Sequence, residues 1–110
     1  WANRCIAAFS SLSQTVVRYP TSFGVWAAQL LQLVKGTPEL AVVGGDFRER
    51  MNEAGKWFIP FRVLVGSEKN ISGIPLLEDR AKENETLVYL CKDYHCIKPV
   101  RYMEEIINLI

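Results

Sequence analysis

Hydrophobic residues recur along this chain with two different periods, and the change of period divides it. Over Ala2 to Val17 the apolar positions Ile6, Phe9, Leu12, Val16 and Val17 recur at helical spacing, which lays them on one face. Tyr19-Pro20 stops that helix, because proline has no N–H to donate and disfavours helical backbone in the residue before it. Thr21 or Ser22 is placed to cap a second helix that ends at Lys35-Gly36, a cation followed by glycine. This second helix is apolar nearly all round: Phe23, Trp26, Ala27, Leu30, Leu31 and Val34 make one stripe, and Val25, Ala28 and Leu33 cover much of the rest. A surface helix normally shows a charged face, so this one is expected to be covered on more than one side. Either it lies at the centre of the small fold, or the hairpin belongs to a larger all-helical domain. The second reading is preferred, because one small sheet can hardly bury the whole helix.

Beyond Gly36 the period shortens. Glu39 to Gly44 is a short β-branched run bounded by Pro38 and Gly44-Gly45, a buried strand. Asp46 stands three residues before Glu49, the spacing of a capping box, and Phe47, Met51, Ala54 and Phe58 then share one stripe of a helix closed by Pro60. Phe61 to Gly66 reads as a second strand, so that strand, helix and strand make a βαβ unit with parallel strands. Residues 67–84 are polar and loop-like apart from Ile74-Pro75-Leu76-Leu77, which is expected to tuck into the core. Glu85 to Leu90 is a third strand, and Val100 to Ile110 a terminal helix with Tyr102, Met103, Ile106, Ile107 and Ile110 inward. The expected fold class is therefore α/β: a small, mainly parallel three-stranded sheet flanked by helices, preceded by an α-helical hairpin. The expected division is a hairpin at 1–36 and an α/β domain at 37–110.

Charge follows the same boundary. Residues 1–35 carry only Arg4, Arg18 and Lys35, whereas the remainder holds ten basic and all 12 acidic residues. The net charge of +1 and the absence of a basic patch interleaved with aromatics argue against nucleic acid as a partner. With 49% apolar residues in 110, the chain has enough to build a core, which excludes disorder as its main state. The longest uncharged run, Tyr19 to Val34, is 16 residues, short of the ~20 that a membrane helix needs. No signal-peptide pattern is visible, and an opening on Trp1 reads as a processed product or an excised piece. Three cysteines, an odd number, do not make a disulfide framework, so the chain reads as soluble and cytoplasmic.

Two places invite chemistry. At Val43-Gly44-Gly45-Asp46 a strand turns into a helix, where α/β folds often hold phosphate on free amides. The third glycine of the dinucleotide fingerprint and the Lys-Ser/Thr pair of a P-loop are missing, and Asp46 offers its own anion to those amides. A tight turn with a capped helix is therefore the preferred reading. The second place is Cys91-Lys92-Asp93-Tyr94-His95-Cys96, following a buried strand. Cys91 and Cys96 can be free thiols, a local disulfide or redox pair if the loop folds back to within ~7 Å, or, with His95, ligands to a metal. The first is preferred, because zinc wants a fourth ligand and Cys5 lies in the hairpin. No catalytic residue and no cofactor site is identified. Neighbouring carboxylates at Glu78-Asp79 and Glu104-Glu105 read as solvated helix or turn faces, and adjacent residues do not converge on one substrate.

Three segments carry a family resemblance: Tyr19-Pro20-Thr21-Ser22-Phe23, Ala41-Val42-Val43-Gly44, and Leu87-Val88-Tyr89-Leu90-Cys91 with Cys96 and Pro99 ahead of a terminal acidic-apolar helix. With these the chain resembles the C-terminal end of the thioredoxin-domain-containing family that includes spermatogenesis-associated protein. The resemblance implies a parent with a thioredoxin-like domain, a toroid of paired helices like that of sugar epimerases and six-hairpin glycosidases, and this tail. Residues 1–35 would then be the last hairpin of the toroid. The family's thioredoxin-type cysteine motif and sugar-site residues have no counterpart here, so the piece itself is not expected to be an enzyme, while the resemblance implies a parent with redox or carbohydrate activity. The leading expectation is a non-catalytic accessory domain packing against the other domains of its parent, with the apolar hairpin driving homo-oligomers in isolation. The alternative is a thiol-redox or metal module at Cys91, His95 and Cys96.

Overall fold

The structure, a computed structural model, describes residues 1–93 and 95–109. The chain divides into two compact units, Trp1–Gly36 and Thr37–Ile110. The first consists of α1 (Ala2–Arg18) and α2 (Gly24–Lys35), joined through the Tyr19-Pro20 break. Phe9 of α1 meets Trp26 of α2 edge to face, ring centroids 5.2 Å apart. Neither Thr21 nor Ser22 caps α2; Phe23 holds that position without a side-chain bond. No residue of α2 is buried, although the helix is almost wholly apolar: Val25 is 79% and Val34 73% exposed. In α1 only Val16 is buried, and Ile6 and Val17 are exposed. Within its own unit α2 is thus not a core helix.

The second unit holds β1 (Glu39–Val43), α3 (Phe47–Gly55), β2 (Val63–Ser67), β3 (Leu87–Lys92), β4 (His95–Cys96) and α4 (Met103–Ile107). The sheet order is β2-β1-β3-β4. The pair β1/β2 is parallel, with Leu40 opposite Leu64, as a βαβ unit requires. The expectation of a three-stranded, mainly parallel sheet is overturned: among the described residues the sheet has four strands, and both β1/β3 and β3/β4 are antiparallel. The reason lies in the segment 68–86, which forms no crossover helix. Its Leu76, Leu77 and Ala81 pack on the sheet face built from Ala41, Val43, Leu87, Tyr89 and Cys91. The chain re-enters the sheet at the end where β2 leaves it, so β3 runs antiparallel to β1; a parallel neighbour would need a crossover, usually a helix, back to the opposite end.

Alternation along the strands sends the other side chains, Leu40, Val42 and Val88, to the opposite face, where they pack with Ala54, Met103 and Ile106. The helices therefore cover one face of the sheet and the 68–86 segment the other. Leu40 to Val43 are all fully buried, as befits the central strand. Close approach shows at Gly66, where a Cβ would lie 2.3 Å from the sulfur of Met51, so α3 rests directly on β2.

Several further expectations need correction. The helix after Asp46 ends at Gly55, and the chain beyond it turns Phe58 out to 92% exposure instead of into the core stripe. The terminal helix is only Met103–Ile107, because Ile97 and Val100 hydrogen-bond to the β3 backbone before it starts. Tyr102 is consequently exposed, while Met103 and Ile106 are buried as expected; Ile110 lies outside the described residues. Between the Cys91–Cys96 and Val88–Val100 pairings the outer segment has one residue more than β3, a bulge at the sheet edge next to Pro99.

Candidate functional site

β3 ends on Cys91, whose side chain belongs to the face covered by the 68–86 segment. Lys92 and His95 are paired, and Asp93 takes φ +50°, a left-handed conformation that aspartate tolerates better than most residues. Tyr94 lies outside the described residues. Cys96 of β4 then stands opposite Cys91, and their sulfurs are joined in a disulfide. The two ends of the bridge differ sharply in setting: Cys91 is 1% exposed and Cys96 is on the surface. The preferred reading of two free thiols is thereby corrected, for the reason that strand pairing places them directly opposite each other. The remaining cysteine, Cys5, is free and exposed.

Two residues that sequence reasoning passed over complete the site. Arg80 donates from a guanidinium nitrogen to the sulfur of Cys96 at 3.2 Å, and its guanidinium stacks over the Tyr89 ring, 4.9 Å from the centroid. The Tyr89 hydroxyl in turn donates to the Arg80 carbonyl at 2.8 Å. The backbone of Arg80 is pinned from the other side, its amide and that of Ala81 both donating to the side-chain oxygen of Asn70. The head group is therefore held at the bridge. Its Nε is buried without a hydrogen-bond partner, and among the described residues no carboxylate forms an ion pair with it. Burial pushes the Tyr89 phenol up from its ordinary value, and the nearby Arg80 charge opposes that rise.

His95 is not drawn into this cluster. It is exposed, and among the described residues no hydrogen bond links it to either sulfur. Alternation along β4 sends the side chains of His95 and Cys96 to opposite faces. Bonded to each other, Cys91 and Cys96 are not thiolate ligands. Among the described residues no group of three or more His, Cys, Asp or Glu is placed to hold a metal ion.

The glycine turn forms a second locus, an open cleft of about 520 Å³ whose lining includes Gly44, Asp46, Lys69, Lys82 and Thr86. Gly44 has φ +140° there, and a Cβ on it would lie 2.4 Å from the Glu85 carbonyl oxygen. The expected cap is not made by the Asp46 side chain. Instead the Asp46 amide donates to the Thr86 hydroxyl at 3.0 Å and the Phe47 amide to the Gly44 carbonyl at 3.1 Å. With those donors taken, and with acidic Asp46, Glu68 and Glu85 beside Lys69 and Lys82, the cleft offers an anion no cradle.

No family model, curated protein or solved structure matches the chain. No helix among the described residues is long and apolar enough to cross a membrane.

Proposed function

We propose that this chain is a non-catalytic accessory module, the C-terminal part of a cytoplasmic multidomain protein that also holds a thioredoxin-like domain and a six-hairpin, sugar-epimerase-like helical toroid. On this reading residues 1–36 supply the last helical hairpin of the toroid and carry residues 37–110 as its tail. The observation that carries the reading is α2, a twelve-residue apolar helix with no buried residue. Uncharged helix surface of this kind is stable in water only when other apolar surface covers it. The lack of any Asp or Glu in residues 1–35 favours apolar helices as the cover over a charged partner. The resemblance carried by Leu87 to Cys91, Cys96 and Pro99 names the source of those helices. The exposed free thiol of Cys5 suits a reducing compartment, where the Cys91–Cys96 bridge would be an exchanging disulfide rather than a structural one.

Amide hydrogen exchange tests the assignment. In the multidomain parent, exchange across Ala2 to Lys35 should be at least roughly tenfold slower than in the dilute 110-residue chain, because covered helices open less often. Equal exchange in both would overturn it.

A further inference from the structure

We propose that, beyond its packing role, the module carries a stoichiometric thiol–disulfide exchange site in the Cys91–Cys96 hairpin, with Cys96 as the attacking thiol, Arg80 as the residue that holds its thiolate, and Cys91 as the resolving thiol. Three observations on the two cysteines and Arg80 lead there. The bridge is asymmetric: Cys96 is open to solvent and Cys91 is sealed in the core, so an incoming sulfur reaches Cys96 first. The cation is positioned and unspent, since the guanidinium reaches the Cys96 sulfur at 3.2 Å and has no carboxylate partner among the described residues. A positive charge beside a sulfur favours thiolate over thiol, and thiolate is the nucleophile. Finally, β4 is two residues long and lies at the edge of the sheet, so opening the bridge leaves Cys91 in β3 and the core intact.

The chemistry balances with a substrate of the class R–S–S–R, a disulfide of a small thiol such as glutathione. The Cys96 thiolate attacks one sulfur, forming a Cys96–S–S–R mixed disulfide and releasing RS⁻. Cys91 gives its proton to solvent and its thiolate attacks the Cys96 sulfur, forming the intramolecular bridge and releasing a second RS⁻. Two cysteine thiols are oxidised, one substrate disulfide is reduced by two electrons, and the two released thiolates take up the two protons. The reverse sequence reduces the bridge at the expense of two thiols.

The test uses the intact chain, reduced with a phosphine that is then removed. Brief exposure to glutathione disulfide, acid quenching and peptide mass analysis should find the mixed disulfide on Cys96 and not on Cys91. Iodoacetamide at pH 7 should modify Cys96 roughly threefold faster than exposed Cys5 in the same molecules, the gain from thiolate fraction being partly offset by lower intrinsic nucleophilicity. In R80Q the pH profile of Cys96 alkylation should move up by about one unit, and R80K should restore most of it. A mixed disulfide on Cys91, a Cys96 rate no greater than that of Cys5, or a profile unmoved in R80Q would each overturn the proposal. If R80Q does not fold, the comparison of Cys96 with Cys5 and Cys91 in the natural sequence still decides.

Discussion

Tyr89 and Arg80 hold each other in place at the Cys91–Cys96 bridge, phenol to carbonyl and guanidinium over ring. Because burial raises the Tyr89 phenol above its ordinary 10.0, the folded chain keeps that proton more firmly than the unfolded chain does. The stability this contributes is complete below the unfolded value and is lost as pH rises through the folded one. Urea unfolding as a function of pH should therefore show a decline beginning above about pH 10 that is weakened in Y89F. At pH 7, Y89F should itself be less stable by about 1 kcal/mol, the usual worth of a lost hydrogen bond. A second residue-scale expectation concerns Gly44. With φ +140° and the Glu85 carbonyl oxygen 2.4 Å from where a Cβ would sit, G44A should cost more than about 2 kcal/mol by thermal unfolding. The chemistry of this site was legible only in part. Cys91 and Cys96 stand out in sequence, but Arg80 lies 16 residues from Cys96 and becomes its neighbour only when segment 68–86 folds onto the sheet.

Among the elements, those with a strong local signal are where the hydrophobic pattern puts them. α1 and α2, the β-branched run of β1, the parallel partner β2 and the strand β3 all fall within a few residues of their expected bounds. What the pattern could not supply is direction. Nothing in Leu87 to Lys92 distinguishes a parallel from an antiparallel neighbour; the choice is made by a helix-free connection anchored through Leu77, which is 1% exposed. The strand β4 is invisible for a similar reason, since two exposed residues carry no apolar period and owe their pairing to the turn and to β3. The terminal helix starts later than its apolar pattern suggests because Val100, apolar enough to read as helix, bonds to the β3 edge instead. The disulfide spans this last hairpin. Closing a loop of this length restricts the unfolded chain by about 2 kcal/mol, so reduction should lower the unfolding free energy by that much. Denaturant titrations with and without reductant measure it, and an unchanged midpoint would mean that the bridge contributes nothing to stability.

At the scale of the whole molecule the two units stand in contrast. Residues 37–110 bury a two-faced sheet whose central strand is fully enclosed, with one face under helices and the other under a packed segment. The hairpin of residues 1–36 leaves its longest apolar surfaces in solvent, among them Val25, Leu33 and Val34 on α2. That imbalance is the basis for reading the chain as a module whose hairpin is completed by other helices. It predicts that, alone, the hairpin meets copies of itself. Sedimentation velocity over a wide range of protein concentration is the most direct test, run on the natural chain beside the triple variant V25Q/L33Q/V34Q. The account predicts concentration-dependent dimers or larger species that the triple variant loses while keeping its helical content. A natural chain that sediments as a clean monomer at the highest concentration would contradict it.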